Sequence, residues 1–526
     1  MAATGPSCYF LPMRIFRRST AALALSLLAG GAGAAELRIG LSVMPTTADP
    51  HFHADAGNFT LHRHLYESLL QWSGDGRLLP LLAESWAPLP SGDGWELRID
   101  PAARFSDGTA VTAEDASASL RRAATIANSP ARYTPFLVGL QRVEVVSPQV
   151  LRVFTHGPGP LLPNGLTTIM IVPARIAATA QPGDFNPGGP AAIGSGPYRL
   201  TEYRQGQGAV LERAAGWWGR APLPWSEIRL RILPHDAARV AALLAGDVDL
   251  IENVPLRDGP RLAATEGLHV ARQDGTRIMF LAMSRQAAAD NPLRDRRVRR
   301  ALSLAVNRAA LAQQVMDGAA EPAGQLMPPG RASHDPALAP PAMDRAAARR
   351  LLAEAGLGDG LRLTLTGTGN RFPNDTRLLQ AVAQMWRQAG IEAEVEVLPP
   401  AAFFPRLSAG RFSVALSGWL TGPGEPNSFL NAFLATRDAG RGMGALNGTG
   451  YGDPRLDALL TQALATADTP RRQGLWRQAA RLAFHEDVAM VPLLHVASLW
   501  AMRGGIRYAP RMDSLTLAMD AAQAAE

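Results

Sequence analysis

His51, His53, His62 and His64 crowd into one short segment. Imidazole is a common ligand for nickel, zinc and copper, so this segment is the first place to look for chemistry. In an extended chain His51 and His53 share a face. His62 and His64, if helical, point about 200° apart and cannot meet on one ion. No cysteine accompanies them and the sequence has no H-E-x-x-H pattern. Packing and helix-end roles fit these residues better than a metal centre, and no cofactor is expected. Catalytic motifs are equally absent. Ser195 lies in IGSGP, which lacks the flanking glycines of a G-x-S-x-G elbow and reads as a turn. Glu114 and Asp115 have the placement of helix-start carboxylates. All 52 basic residues are arginine. Without lysine there is no Walker A phosphate loop and no Schiff base, so the chain is not its own ATPase by that route. An enzyme is not the expected reading.

Ser417-Gly418-Trp419 is the stronger candidate. It is predicted to lie just past a strand over 412–416, and ligands of α/β proteins collect outside the carboxyl ends of strands. A glycine lets a ligand approach the backbone, and tryptophan offers an apolar wall with a single donor. The competing reading is a core tryptophan that closes the strand.

Several elements must position such a site. Residues 1–35 read as an export leader: Arg14, Arg17 and Arg18, an apolar run over 21–28, then small residues at 32–34. The run is too short to span a bilayer, which takes about 20 apolar residues. The only cysteine, Cys8, precedes that run, so the exported chain is cysteine-free. Location in a periplasm is expected, with Met1 or Met13 as the start. The net charge of +6 is spread through helices and strands, which argues against nucleic acid.

From residue 36 onward the chain alternates strand and helix, as in layered α/β proteins. Strands are expected over 37–43, 228–232, 248–251, 361–366, 391–398 and 488–494. Helices are expected over 236–245, 376–389, 401–409, 454–467 and 470–484, with one more from Asp295. Thr112 with Asp115 three residues on reads as a variant capping box. Gly108 suits a turn that needs positive φ. The last dozen residues read as a loosely held tail.

The stretch 65–122 carries LYESLL, LLPLLAESW and WELRIDPAARFSDGTAVTAEDASASLRR, read as helix, Trp-bearing turn, strand, tight turn and capped helix. IGSGPYR, LERAAGWWG, RVAALLAGDVDLIENVP and NPLRDRRVRRALSLAVNR come after it in order. Together these blocks resemble the family 5 extracytoplasmic solute-binding proteins, the peptide and nickel receptors of ABC importers. The resemblance implies a type II, cluster C-like periplasmic binding protein: two α/β lobes and an extra domain on the first. Domain I would take 36–60, 190–282 and 492–526, the extra domain 61–189, and the second lobe 283–491. It implies that the Gly418-Trp419 pair lines a ligand cleft.

Beyond that pair, GPGEPNSF over 422–429 matches the E-P-x-S-F form of oligopeptide receptors. Those receptors hold a peptide ammonium with an aspartate that here is Gly422, and arginines that meet peptide carboxylates align with Leu407 and Leu416. Glu425 is a possible substitute anion. Ser417, Gly418, Trp419, Gly422, Glu425 and Asn427 are therefore the expected ligand-binding residues. The expected function is capture of di- or oligopeptides, or a peptide-like solute, for permease subunits with separate ATPase subunits; the binding protein itself is expected to be monomeric. The same fold holding a nickel chelate, a glutathione-like molecule, an opine or a sugar is the alternative, as is a periplasmic sensor or chaperone.

Overall fold

The computed structural model describes residues 35–524 apart from 44, 138, 287–289, 370 and 439–442. The leader expected at 1–35 falls outside these residues except at Ala35.

A single eleven-stranded sheet runs through the chain. On one side Glu36–Leu41 lies parallel to Glu227–Ile232 and to Leu250–Ile251. Gly208–Arg213 and Tyr198–Arg204 extend this side antiparallel. On the other side Ile391–Leu398, Leu361–Thr368 and Val414–Leu420 form a parallel set. Two long antiparallel strands, Leu268–Met283 and Met490–Arg503, join the halves. Their ladder breaks between Gln273 and Arg277, where Gly275 takes a φ of +63°. Past that break Val414–Leu420 becomes the other neighbour of the first strand. The two long strands thus belong to both halves, and their irregular point is a natural place to bend.

Local sequence accounts for most elements. In Glu227–Ile232, Ile228 and Leu230 are buried while Arg229 and Arg231 face out, the period-2 pattern of a half-covered strand. Helix Asp236–Ala245 ends on Gly246 at a φ of +80°, which a side chain with a Cβ disfavours. Helix Ala113–Thr125 opens with the full capping box of Thr112 and Asp115. A separate four-stranded antiparallel sheet, from Ala83–Pro88 to Val150–Thr155, has its own core around Leu97, Leu120, Tyr133 and Leu151.

Several expectations differ from the structure. Helix Ala56–Leu65 stops at Leu65, so most of LYESLL is extended chain, and Trp86 lies in a strand rather than a turn. The strand expected over 488–494 spans Met490–Arg503, and two short paired strands, Ile506–Tyr508 and Ala521–Gln523, follow it. The terminal segment is firmly held: Trp225 Nε1 donates to the carbonyl of Ala521 at 2.9 Å, and the backbone N–H of Ala518 donates to His64 Nε2 at 2.9 Å. Propensity cannot anticipate either contact, because the partners lie hundreds of residues away.

In a chain without lysine, arginine clasps backbone as well as carboxylates. Arg239 donates to the carbonyls of Glu252, Leu233 and Asn253. Arg299 donates to those of Asp487, Val488, Leu293 and Arg294. Arg308 reaches the carbonyls of Pro492 and Ser303. The planar five-donor fork suits this work better than an ammonium, which would leave carbonyls unmet.

Candidate functional site

The strand that carries Ser417, Gly418 and Trp419 is Val414–Leu420, not 412–416. The three residues lie inside it, paired with Phe280, Met279 and Ile278 of the long strand. Serine and glycine are weak strand formers, so propensity ends the strand early; the cross-strand ladder carries it on. Ser417 is buried. A Cβ at Gly418 would come within 2.8 Å of Met279 Sδ and 3.0 Å of Phe372 Cδ1, so the bare backbone makes room for Phe372. Trp419 faces the opposite side of the sheet, edge-on to Phe429 and Phe433 at centroid distances of 6.2 and 5.2 Å.

The next turn crosses to other parts of the chain. The backbone N–H of Thr421 donates to the carbonyl of Thr276 at the broken point of the long strand. Gly422 has a φ of +53°, and nothing lies within 4 Å of where its Cβ would be. Gly424 approaches Trp72 and Asn164 of the region 61–189, and Pro423 approaches Gly76. The loop therefore joins the strand end, the bend and the extra domain.

Glu425 does not serve as a free anion. Its carboxylate accepts Arg472 Nε at 2.8 Å, Arg472 Nη2 at 2.9 Å and Trp476 Nε1 at 2.6 Å. Both ion-pair side chains are 7% exposed, so this is an internal clasp between the loop and helix Thr469–Ala480. Sequence spacing hid the partner because Arg472 is 47 residues away. Asn427 opens the short helix Asn427–Phe429 and is half-buried. Of the six candidates, Ser417, Gly418, Trp419 and Gly422 gather at one strand end, while Glu425 turns inward.

Sequence reasoning missed Arg277, Arg371 and Phe372. Arg277 opens the otherwise apolar run RIMFLAM, and that mismatch was the available signal. It pairs across the sheet with Leu420 and Val496. Its guanidinium carbon lies 5.5 Å from the centroid of the Phe372 ring, and that of Arg371 lies 5.3 Å from it. Burial and the neighbouring Arg371 charge push the Arg277 pKa down to about 10.

Each of the four histidines has a separate place. His51 Nε2 faces the carbonyl of Met170 at 2.7 Å and so carries the proton, leaving Nδ1 to accept Arg122 Nη1 at 3.1 Å. Arg122 grips Asp49 through both oxygens at 2.7 and 2.6 Å. His62 Nε2 meets the carbonyl of Thr47, His64 Nδ1 that of Thr60, and His53 Nδ1 the hydroxyl of Thr46. Burial pushes His51, His62 and His64 down to about 4. Among the described residues no group of three or more His, Cys, Asp or Glu could hold a metal ion. Nearby, Glu67 is enclosed by the indoles of Trp217 and Trp218 at 3.3 and 2.7 Å, and burial raises its carboxyl to about 7.

Two α/β halves sharing long joining strands, with an added antiparallel domain, define a two-lobed periplasmic binding protein. The chain belongs to the bacterial extracellular solute-binding proteins, family 5, whose profile matches residues 77–441. Members of this family are the substrate-binding subunits of ABC importers. The glutathione-binding protein GsiB of Pectobacterium atrosepticum is 27% identical over 402 residues, covering 74% of this chain and 76% of the relative. DppA of Helicobacter pylori, solved with the peptide STSA, superposes with a TM-score of 0.79 at 20% identity, over 93% of this chain and 98% of that one. NikA of Staphylococcus aureus, solved with Ni(L-His)2, superposes with a TM-score of 0.75 at 20% identity, over 93% of this chain and 100% of that one. No helix among the described residues is long and apolar enough to cross a membrane.

Proposed function

We propose that this chain captures a small peptide-like solute in the periplasm, between its lobes at the Gly418–Gly422 strand end, and presents it to a permease. The supporting observation is the path of the loop over 421–424. It leaves the strand end, bonds to the bend at Thr276, and reaches Trp72 and Asn164 of the extra domain. A solute held there touches groups on both sides of the bend, so its binding energy favours the closed form. Shifting a two-state equilibrium from 1:99 to 99:1 takes about 5.5 kcal/mol of differential affinity. The permease's separate ATPase subunits would supply the energy, since this chain has no lysine for a phosphate loop. In this reading 1–35 is a cleaved leader, the lobes are 36–60 with 190–282 and 492–526, and 283–491, and the exported protein is a monomer.

Thermal unfolding of protein refolded from denaturant, to strip carried-over solute, tests this. The panel holds di- to octapeptides, N-acetylated peptides, glutathione, nickel with chelators, opines and sugars. A solute at about 100 times its dissociation constant adds roughly 2.7 kcal/mol, a readily visible shift. Capture predicts that at least one class stabilises the protein and that Trp419→Ala weakens it. A flat response to every class would refute capture at this site.

A further inference from the structure

The turn of the hairpin Leu70–Trp72 with Leu78–Pro80 is a meeting point for three distant parts of the chain. Gly76 in that turn has a φ of +83°. A Cβ there would come within 2.8 Å of Met512 Sδ, 3.3 Å of Pro423 Cβ and 3.8 Å of Arg331 Nη1. Met512 and Arg331 stand on opposite sides of the bend. The segment around Met512 is tied to the hairpin and to the side of the sheet that holds Glu36–Leu41. The backbone N–H of Met512 donates to the Gly74 carbonyl at 3.0 Å, and Arg511 Nη2 to that of Trp72 at 2.8 Å. Thr516 Oγ1 donates to Glu252 Oε2 at 2.6 Å. Arg331 belongs to the other side. Its loop follows strand Ala320–Pro322, which pairs with Leu494 to Val496 of the long strand, beyond the broken ladder. Gln325 staples this loop: its Nε2 donates to the Asp335 carbonyl at 2.6 Å, and its Oε1 accepts the Asp335 N–H at 3.0 Å. Pro328 of the same loop lies against Gly275 at the bend. The loop is a stapled projection, and Arg331 is where it crosses to the other side.

The seat suits a cation poorly. Arg331 is half-buried; its Nη1 donates to Met512 Sδ, a weak acceptor, and its buried Nη2 has no partner among the described residues. Carboxylates on the contacting segments are taken: Asp513 by Arg511, Asp75 by Arg77 and Asp335 by Arg481. Arg511, next to Met512, shows the contrast, with Asp513, Asp520 and the Trp72 carbonyl all on its fork. Burial lowers the Arg331 pKa, as expected of a cation that gives up water without gaining a counter-charge.

Resting on the proposed two-lobe capture, we propose that Arg331 is a brake on closure of the empty protein. With the lobes together its guanidinium exchanges water for a thioether; with the lobes apart it is hydrated. The closed form therefore carries a cost that the open form does not, and solute contacts must exceed it before the lobes stay shut. The brake keeps empty protein from presenting the closed form to the permease.

The test uses the refolded, ligand-free full chain as wild type, R331M, M512E and the double variant, compared by small-angle X-ray scattering. R331M keeps an unbranched side chain and removes the charge, whereas M512E gives Arg331 the carboxylate it lacks. Each single variant is expected to shift the open-to-closed ratio about tenfold towards the compact form. The double variant buries a carboxylate without its cation and is expected to be at least as open as wild type. R331M is expected to unfold no lower than wild type, which guards against misfolding as the cause. Glutathione and trialanine serve as calorimetric probes, and one that binds wild type is expected to bind R331M about tenfold more tightly, because the competent form is more populated. A ligand-free R331M that scatters like wild type, or is more open, overturns the brake. So does a double variant as compact as either single one. If the whole solute panel leaves wild type unstabilised, capture fails, and the scattering comparison still decides the brake.

Discussion

Glu67→Gln isolates one buried carboxyl whose ionisation opposes folding. Burial beneath Trp217 and Trp218 raises the Glu67 pKa from 4.5 to about 7. An acid whose folded-state pKa is raised contributes stability fully present below its unfolded pKa. That contribution is lost as pH rises through the folded value, because the unfolded chain ionises first. The shift of about 2.5 units, at 1.36 kcal/mol each, sets a ceiling of about 3 kcal/mol. Between pH 5 and pH 8 the two titration curves predict about 2.5 kcal/mol of that change. Glutamine cannot ionise, and its amide facing an indole N–H has its own pH-independent cost. The informative quantity is therefore the difference in unfolding free energy between wild type and variant, measured by urea denaturation at each pH. The buried histidines are common to both proteins and cancel. Wild type is expected to lose about 2.5 kcal/mol relative to the variant across that range. A difference flat to within about 0.5 kcal/mol, or one of opposite sign, would refute the argument that burial outweighs the two indole donors.

The remaining expectations concern the buried pairs and the site. Asp49→Asn leaves Arg122 uncompensated in the interior and is expected to cost about 3–5 kcal/mol in urea unfolding. Glu425→Gln releases Arg472 and is expected to lower the ligand-free unfolding temperature, at a cost of about 3 kcal/mol; an unchanged value with weakened solute binding would instead make Glu425 a ligand group. Gly418→Val drives a side chain into Met279 and Phe372 and is expected to cost about 1–3 kcal/mol by overpacking, read as a fall in denaturation midpoint. His51, His62 and His64, lowered to about 4, contribute stability that is full above about pH 6.5 and lost as pH falls towards 4. Calorimetric scans in steps from pH 7 to pH 4.5 are expected to show that steep acid-side decline.

Patterns with a short range were legible in the sequence. The capping box at Thr112, the stop at Gly246 and the alternation of Ile228 to Ile232 are each decided within a few residues, and the structure has all three. The family blocks brought the fold class with them. Tertiary pairing decided the rest. The strand Val414–Leu420 outlasts its own propensity because Leu268–Met283 pairs with it, and the tail holds because Trp225 and His64 reach it. Glu425 looked available because its partner comes from a helix that sequence proximity could not supply. Arg277 is the opposite case: nothing in RIMFLAM tells that Phe372, Leu420 and Val496 will surround it.

The displaced strand also changes what Gly418 and Trp419 can do together. Successive side chains of a strand point to opposite faces, so two adjacent in-strand residues cannot form one flat wall. Gly418 looks towards Met279 and Phe372, while Trp419 looks towards Phe429 and Phe433. In the proposed capture a solute meets both only end-on, past Leu420, where the open position at Gly422 begins. Arg277, paired with Leu420, lies on the face of Gly418, and Trp419 lies on the other. Such an arrangement separates charge from hydrophobic contact. Arg277→Gln should weaken acidic solutes and leave neutral ones alone, whereas Trp419→Ala should weaken both in proportion to the apolar area they bury. Calorimetry of one acidic and one esterified solute against the two variants and the double variant decides it. Additive losses place the groups on opposite faces of one solute, while strong coupling between the two substitutions would put them on the same wall and sink the end-on geometry.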